Sequence, residues 1–292
     1  MEKNVLIIGG TGKMGQWFAN FFKNKKFKVK IYGRNPVKTK KIAKSLGVDY
    51  SLNYVEDVKN VGMVLVSTPI EVTPKIILEV AKNLKKGSIL FDVASIKNDV
   101  LPALKKAEKF GIHTLSLHPM FGPGAKSVKD KAILTIPVTR KIEVLKFVLK
   151  PFLDSGAKIV WVKDAKTHDK MVALTLALPH FLNIIFGKTL STSGFNIKKI
   201  KDFGGTTFNL QLILAESVVQ EDPNLYASIQ TQNKYFIKVM EELFNHANNL
   251  KKIVLNKEKD KFSKFFLETR KFLAEDPEFK NAYKKFYFLL FS

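Results

Sequence analysis

Residues 5–22 read VLIIGGTGKMGQWFANFF, an apolar run followed by a glycine-rich turn and then by an amphipathic segment. The run VLII is short and β-branched, as is typical of a buried strand, and the segment after Gly15 has the composition and length of a helix. Gly10, Gly12 and Gly15 stand between the two elements in the spacing G-x-G-x-x-G. A strand, a glycine turn and a helix in this order predict the first unit of a sheet that is covered by helices.

The glycine spacing also predicts a binding site. The first glycine allows a tight turn, the second lets the backbone approach a pyrophosphate, and the third lets the helix pack against the strand. The N-terminus of the helix then faces the anion. We therefore expect a dinucleotide here, and the alternative is a glycine turn without a ligand. The loop residues predicted to contact the dinucleotide are Gly10, Thr11, Gly12, Lys13, Met14 and Gly15.

The end of the second predicted strand indicates which dinucleotide binds. Residues 28–38 read KVKIYGRNPVK, so Gly33, Arg34 and Asn35 follow the apolar run. A site that prefers NAD usually has Asp or Glu here, which bonds to the ribose 2′-hydroxyl. A guanidinium pairs instead with a 2′-phosphate, which a carboxylate would repel. The sequence therefore favours NADP, with NAD as the alternative cofactor and a turn-capping Arg34 on the surface as the alternative interpretation.

The alternation of short β-branched runs with amphipathic segments continues to about residue 160 and then stops. From Ala165 onward apolar residues recur at helical spacing, with a kink expected at Pro179. This pattern predicts an α/β N-terminal domain over residues 1–163, a doubly wound and mostly parallel Rossmann sheet, and an all-α domain over residues 164–292. The predicted strands are Asn4–Ile8, Lys28–Tyr32, Met63–Ser67, Ser88–Val93, His113–Leu117, Ala132–Pro137 and Lys158–Trp161.

The charge balance points to an anionic partner. The chain has 49 Lys+Arg against 26 Asp+Glu, a formal net charge of +23, but only three of the 49 are arginines: Arg34, Arg140 and Arg270. Nucleic-acid interfaces that read sequence depend on bidentate arginine, so we expect a small anionic substrate and no nucleic acid. No apolar run is expected to approach the length of about 18 residues that a membrane span needs, and the absence of cysteine excludes thiolate chemistry. The expected location is the cytoplasm.

Polar residues that end predicted strands are the candidates for chemistry, because an open α/β sheet binds its ligands at the carboxyl ends of its strands. Ser67, Thr68 and Pro69 follow one strand and are predicted to line the dinucleotide. Ser95 follows another, and His118 ends a third in the stretch SLHPMFGP. A neutral imidazole can take a proton from an alcohol while a hydride leaves the same carbon. The alternative is a histidine that is bonded only to backbone groups.

Six stretches in this order resemble the prephenate dehydrogenase family of tyrosine biosynthesis: IIGGTGKMG, VLVSTPIEVT, FDVASIKND, LHPMFGP, THDKMVALTLALPH and EDPNLYASIQ. The likeness covers most of residues 4–233. It implies a Rossmann domain followed by a helical dimerisation domain. It also implies the oxidation of the ring hydroxyl of prephenate, or of its aminated relative arogenate, with loss of the ring carboxylate as carbon dioxide.

The resemblance also implies roles for individual residues. His118 matches the histidine that accepts the hydroxyl proton, and Ser95 matches the serine that orients it. His180 matches a histidine of the substrate pocket, and His168 and Asp169 match a His-Asp pair at the start of the helical domain.

One departure from the family concerns the substrate. Relatives carry arginines in the helix before EDPNLYASI, where a guanidinium binds a substrate carboxylate, but Asn209 and Ser217 occupy the matching positions here. The chain has no arginine between Arg140 and Arg270. The substrate is therefore expected to depend on lysines and on uncharged polar side chains, for which the candidates are His180, Thr206, Thr207, Asn209 and Gln211.

Three functions are compatible with these patterns. The first is an NADP-dependent dehydrogenase of prephenate or arogenate, and the second is a dehydrogenase of the same fold that acts on another cyclic or hydroxy acid. The third is a dinucleotide-binding sensor without turnover, which would need neither Ser95 nor His118. The apolar segments FSKFFLETRKFL and KFYFLLFS, near the C-terminus, predict a homodimer formed through the helical domain.

Overall fold

The structure is a computed structural model, and it describes residues 2–291. The chain divides into two compact units, Met1–Val172 and Ala173–Ser292. The helix that begins at Ala165 belongs to the first unit up to Val172. The boundary predicted at residue 163 stays a prediction.

The first unit contains one sheet, whose strands within the described residues number eight. Their order across the sheet is β3-β2-β1-β4-β5-β6-β7-β8, and all neighbours are parallel except the antiparallel pair β6 and β7. The strands are β1 (Asn4–Ile8), β2 (Lys28–Tyr32), β3 (Asp49–Ser51), β4 (Met63–Val66), β5 (Ile89–Asp92), β6 (His113–Pro119), β7 (Ala132–Pro137) and β8 (Lys158–Trp161). The predicted fold class is confirmed.

Seven helices of the first unit follow or connect these strands. Asn35 caps the second of them by accepting a hydrogen bond from the Lys38 amide, and Pro36 occupies its first turn, where a missing N–H costs nothing. The helices are α1 (Lys13–Asn24), α2 (Pro36–Leu46), α3 (Tyr54–Asp57), α4 (Thr73–Asn83), α5 (Val100–Ala107), α6 (Ile142–Leu153) and α7 (Ala165–Val172), with 3₁₀ turns at Val58–Asn60 and Glu108–Phe110.

One core cluster of the first unit lies on the face of the sheet that α1 covers. Phe18 and Phe22 of α1 are fully buried, and their rings pack against Phe152 of α6. Phe91 of β5 joins this cluster. Each such ring removes on the order of 150 to 250 Å² of surface from water, so these aromatic contacts hold α1 and its preceding glycine turn firmly against the sheet.

The second unit is helical. It begins with a π-helical segment, Ala173–Ala177, two residues before Pro179, which has no N–H to donate to the preceding turn. The kink predicted at Pro179 stays a prediction. The helices that follow are α8 (Leu178–Ser191), α9 (Ile197–Asp202), α10 (Thr206–Val219), α11 (Pro223–Thr231), α12 (Phe236–Leu255), α13 (Lys259–Leu273) and α14 (Ala282–Phe291), with a 3₁₀ turn at Phe279–Asn281.

One described helix corrects an expectation about membranes. Residues Ala165–Ser191 form a continuous 27-residue helical stretch with a mean hydropathy of 1.5 in its most apolar window. By length and composition it could cross a membrane, so the expectation that no run approaches that length was wrong. A core helix of a soluble protein passes the same test, and 22% of this window is buried within the described residues.

The apolar segment near the C-terminus is exposed, as its pattern predicted. Phe266, Phe272 and Leu273 of α13 are at least half exposed within this chain. Of the second predicted segment, residues 285–292, the last residue lies outside the described residues.

Candidate active site

The glycine loop lies where the strand order reverses. β1 and β4 are neighbours, and the chain leaves β1 toward β2 on one side but continues from β4 toward β5 on the other. An open crevice forms at such a reversal, beyond the carboxyl ends of the strands. The loop after β1 and residues Ser67, Thr68 and Pro69 after β4 both border it.

The backbone of the glycine loop fits a dinucleotide. A side chain at Gly15 would place its Cβ 2.2 Å from the carbonyl oxygen of Gly9, so only glycine lets α1 approach the loop this closely. At Gly12 the nearest atom would be 3.4 Å away, so this side of the loop is open to a ligand. Within the described residues no side chain caps α1, and its first turn has no acidic residue. An anion is therefore favoured at this helix end.

The other residues of the glycine loop differ in exposure, and one of them stabilises the turn. Lys13 is exposed, and Met14 and Thr11 are half-buried. The backbone carbonyl of Thr11 accepts a hydrogen bond from Gln16 Nε2 at 3.1 Å, which fixes the turn.

The residues after β2 lie beside this loop. A Cβ at Gly33 would be 2.4 Å from Thr11 Oγ1, so the absence of a side chain at Gly33 lets the two turns meet. The side chain of Arg34 is exposed. Asn35 also has a structural role, because its Oδ1 accepts the Lys38 amide at 2.9 Å. Arg34 is therefore the group in this turn that can pair with a phosphate, and Asn35 first of all starts α2.

The turn after β4 is fixed by its own side chains. Ser67 is half-buried, and its amide donates to the carbonyl of Ile8 at 2.8 Å. Thr68 and Thr73 share a hydroxyl hydrogen bond of 2.8 Å, and Thr73 Oγ1 also donates to the carbonyl of Pro69. The predicted dinucleotide residues 67–69 thus form a rigid turn next to the glycine loop.

A buried ion pair lies at the ends of β5 and β6. Asp92 and Lys97 are both fully buried, and Lys97 Nζ lies 2.7 Å from Asp92 Oδ2. The carboxylate also accepts from Ser116 Oγ and from the Ala94 amide, while Lys97 Nζ donates to the carbonyl of Leu117. Every group of the pair therefore has a partner, as a buried charge requires.

His118 lies directly beyond this pair, at the carboxyl end of β6. It is 4% exposed, and its Nδ1 lies 3.0 Å from Nε2 of His168 in α7. The other ring nitrogen of His168, Nδ1, lies 2.7 Å from Asp169 Oδ1. The same carboxylate oxygen accepts the backbone amide of Lys97 at 2.9 Å. Two imidazoles and a carboxylate thus form a buried hydrogen-bonded chain.

Burial controls the protonation of this chain. It lowers the pKa of His118 well below the ordinary value of 6.5, and the nearby His168 and Lys97 lower that pKa further. Burial also lowers the pKa of His168, although Asp169 opposes that shift. The pKa of Lys97 is lowered by burial against the pull of Asp92. Both imidazoles are therefore neutral at pH 7, and a neutral imidazole can accept a proton.

The segments around His118 are well fixed. Ser95 follows β5 at the same edge of the sheet and is half-buried. Among the described residues the neighbour of His118 Nδ1 is His168, so the predicted orienting contact from Ser95 stays a prediction. After His118, the loop is attached to α1, because Trp17 Nε1 donates to the carbonyl of Ala125 at 2.8 Å and its ring packs on Phe121.

The predicted substrate residues lie in the second unit. Thr206, Thr207 and Asn209 occupy the first turn of α10, where Asn209 Nδ2 lies 3.4 Å from the carbonyl of Gly204. Further along α10, Gln211 Nε2 donates to Asn183 Oδ1 of α8 at 2.8 Å, so this side chain joins two helices.

His180 lies in α8 beside an aromatic ring. The ring centroids of His180 and Tyr226 are 4.4 Å apart, and burial lowers the pKa of His180 to about 4. Its Nδ1 is buried without a protein partner among the described residues. His180 is therefore neutral at pH 7 and has an unused ring nitrogen.

Two models of protein families match this chain. The family model described as the nucleotide-binding domain of prephenate dehydrogenase matches residues 18–161, and the model of its dimerization domain matches residues 164–268. Together they cover most of the chain. It belongs to the prephenate dehydrogenase family. The resemblance inferred from the six motifs is therefore confirmed.

Curated relatives of this family extend beyond the matched region. The chain is 32% identical to a probable arogenate/prephenate dehydrogenase of Methanocaldococcus jannaschii over 96% of its own length and 63% of the relative. It is 28% identical to the T-protein of Enterobacter agglomerans over 77% of its length and 55% of the relative. The chain thus spans about 55 to 63% of the length of these relatives.

Solved structures of the family share the fold. Prephenate dehydrogenase from Aquifex aeolicus matches with a TM-score of 0.76 at 21% identity, over 94% of this chain and all of that chain. Arogenate dehydrogenase from Synechocystis matches with a TM-score of 0.68 at 17% identity, over 91% of this chain and 97% of that one. At these identities the likeness establishes the fold of the chain and no more.

Sequence reasoning did not single out Asp92, Lys97 or Ser116. The signal was present in FDVASIKND, where an aspartate ends a buried strand and a lysine follows five residues later, directly after the apolar Ile96. Lysine is so common in this chain that its burial could not be inferred from composition, because lysine is normally exposed.

Proposed function

We propose that this chain is an NADP-dependent dehydrogenase that oxidises prephenate or arogenate with loss of carbon dioxide. The observation that carries the proposal is the neutral, buried imidazole of His118, at the sheet edge that also bears the glycine loop. The match to both domains of the family supports it.

The chemistry needs little from the protein beyond a base and alignment. When bound, the nicotinamide supplies the hydride acceptor. His118 takes the proton of the hydroxyl group whose carbon loses the hydride, and loss of the ring carboxylate as carbon dioxide then leaves an aromatic ring. Because aromatisation drives the second step, the residues of this chain mainly bind, orient and deprotonate the substrate.

The phosphate of NADP is assigned to Arg34. This side chain is exposed at the end of β2, and no carboxylate stands at Gly33 or Asn35 to bond a ribose 2′-hydroxyl. The backbone of Gly10, Gly12 and Gly15 would hold the pyrophosphate, as the open side of Gly12 and the uncapped α1 allow. The turn at Ser67 and Thr68 would border the nicotinamide side of the crevice.

The substrate anion is assigned to polar groups of the helical unit. His180 offers a buried ring nitrogen, and Thr206, Thr207 and Asn209 gather at the N-terminus of α10. The absence of arginine between Arg140 and Arg270 favours, as a second candidate, another cyclic or hydroxy acid in place of prephenate. The match to the dimerization domain and the exposed apolar side chains of α13 support a homodimer formed through the helical unit.

A spectrophotometric assay tests this function. The formation of NADPH is followed with prephenate, with arogenate and with a panel of hydroxy acids, and the proposal requires turnover of one of the first two. Turnover restricted to another acid would select the second candidate. Reduction of no cofactor with any compound would contradict the proposal.

The cofactor assignment has its own test. The dissociation constants of NADP and NAD are measured for the wild type and for Arg34→Ala, with Arg140→Ala, an exposed arginine outside the loop, as the matched control. Arg34→Ala is expected to weaken NADP roughly tenfold to a hundredfold, since a charge-assisted hydrogen bond is worth about 1.5–3 kcal/mol. NAD is expected to be nearly unaffected, and equal weakening of both would refute the assignment.

A further inference from the structure

The buried hydrogen bonds behind His118 determine which ring nitrogens of His118 and His168 carry protons. His118, His168 and Asp169 are 4%, 1% and 1% exposed, and consecutive members are 3.0 and 2.7 Å apart. Each contact joins one nitrogen or oxygen to the next, so each allows one proton only. The positions of these protons follow from the acceptor at the inner end of the series, the carboxylate of Asp169.

The inner end is a carboxylate oxygen that already accepts a hydrogen bond. Asp169 Oδ1 receives the backbone amide of Lys97 at 2.9 Å, and a backbone N–H can only donate. The contact of the same oxygen with His168 Nδ1 is therefore made by a proton on that nitrogen. His168 is neutral because burial lowers its pKa, so it has one ring proton and its Nε2 is a lone pair.

The outer contact is then fixed as well. A lone pair on His168 Nε2 lies 3.0 Å from His118 Nδ1, and two lone pairs facing each other at this distance would repel. The proton of His118 is therefore on Nδ1, and the lone pair of His118 is on Nε2. The hydrogen bonds of a neutral histidine decide which of its two ring nitrogens carries the proton. Here His168 accepts from Nδ1 of His118, so the Nδ1–H tautomer is favoured.

We propose that His168 is a positioning residue that holds the proton of His118 on Nδ1, so that Nε2 is the nitrogen that receives the substrate proton. Asp169 fixes the tautomer of His168 in turn. The proposal rests on the proposed function only in that His118 is the base. The state of the His118 ring is a property of the free protein and can be measured without a substrate.

Lys97 fixes the position of the Asp169 carboxylate. Its backbone amide bonds to Asp169, and its ammonium group bonds to Asp92 and to the carbonyl of Leu117, the residue before His118. One fully buried residue therefore holds both the carboxylate that ends the chain and the strand that carries the base.

Two substitutions at His168 separate positioning from packing. In His168→Gln the amide oxygen can take the place of Nε2 and accept the proton of His118 Nδ1. In His168→Met a side chain of similar length fills the space but offers no such acceptor. His113→Asn is the control, because His113 is a half-buried histidine on the same strand as His118 but is not part of the hydrogen-bonded series His118, His168 and Asp169.

The direct readout is nitrogen NMR of histidine-labelled protein, in which the five histidines of the chain give few signals and His118→Asn assigns the one of interest. The wild type and His168→Gln are expected to show a protonated Nδ1 and an unprotonated Nε2 at His118. His168→Met is expected to lose this preference. A protonated Nε2 in the wild type, or an unchanged tautomer in His168→Met, would overturn the proposal.

Turnover gives the second readout. With prephenate and NADP, kcat of His168→Met is expected to fall about 100-fold with KM nearly unchanged, since general base catalysis contributes at least that much. His168→Gln is expected to keep most of kcat, and His113→Asn all of it. A normal kcat in His168→Met would contradict the role of His168. A wild type that oxidises neither prephenate nor arogenate would contradict the proposed function alone, because the tautomer would still be measured.

Discussion

The polar side chains proposed to act in the reaction are buried in the sheet unit, whereas those of the helical unit are more exposed. In the sheet unit, Asp92, Lys97, His118, His168 and Asp169 are each at most 4% exposed and are joined by hydrogen bonds of 2.7 to 3.0 Å. In the helical unit, the side chains predicted to bind substrate are half-buried or exposed. There a side-chain hydrogen bond of 2.8 Å, from Gln211 to Asn183, joins two helices of the unit.

This difference matches the different demands of proton transfer and of substrate binding. Proton transfer requires one nitrogen in one orientation, and a buried network supplies such a constraint because a misplaced proton would leave a polar group unpaired. Binding of an anion can be shared among exposed donors, any of which can be replaced. The departure from the family pattern, the absent arginines, accordingly falls in the helical unit, whereas the proposed base, His118, lies in the sheet unit.

The largest expected effect comes from breaking the buried pair. Lys97→Met leaves Asp92 as an unpaired charge with no access to water, which should lower the free energy of unfolding by about 3–5 kcal/mol. Chemical denaturation measures this loss. The matched control is Lys30→Met, whose pair with Asp57 is about 30% exposed and should contribute at most about 1 kcal/mol.

A double variant distinguishes the lost charge pair from lost packing. Asp92→Asn combined with Lys97→Met removes the buried charge, so it should recover part of the stability that Lys97→Met loses. If the double variant is as unstable as the sum of the two single variants, the two charges do not stabilise each other.

A smaller effect is expected in the helical unit. Gln211→Leu leaves Asn183 Oδ1 without its donor, and Asn183 is 8% exposed, so the free energy of unfolding should fall by about 1–3 kcal/mol. Ser217→Ala, at an exposed position of the same helix, should change stability by no more than about 0.5 kcal/mol. If Gln211→Leu instead raises KM and leaves stability unchanged, Gln211 binds substrate and the contrast between the units is weaker.

The last expected effect is a dependence of stability on pH. Burial lowers the pKa of His180 from 6.5 to about 4, so between these pH values the unfolded chain binds a proton that the folded chain does not. Stability should therefore be full above pH 6.5 and decrease as the pH falls toward 4. His180→Phe keeps a ring beside Tyr226 but cannot titrate, and its unfolding free energy should fall less steeply over this range. Parallel curves for the two proteins would show that His180 is not buried in solution.

Much of the fold was predictable because its signals are local. The β-branched runs gave β1, β2, β7 and β8 with the bounds that the structure shows. The three-residue strand β3 was missed, since Asp49–Ser51 has too few residues to show an alternation. The apolar helix Ala165–Ser191 was also misjudged, because the polar residues His180 and Asn183 interrupt the apolar run, while the mean hydropathy of its most apolar window is still 1.5.

The candidate site was predictable only in part. A position at a strand end identified His118, and the glycine spacing identified the loop. The contact of His118 with His168 joins residues 50 positions apart, and that of Lys97 with Asp169 joins residues 72 apart. Such pairs depend on how α7 packs in the sheet unit, which no local pattern specifies. The motif resemblance matched His168 to a His-Asp pair of the family but did not pair it with His118.

The central claim is that the imidazole of His118 takes the substrate proton. The most direct measurement compares the wild type with His118→Asn in two assays, the rate of NADPH formation from prephenate and the dissociation constant of NADP. The account predicts that turnover falls about 100-fold or more while the affinity for NADP stays nearly unchanged, because only proton transfer is removed. Turnover close to that of the wild type, or an equal loss of NADP binding, would contradict it.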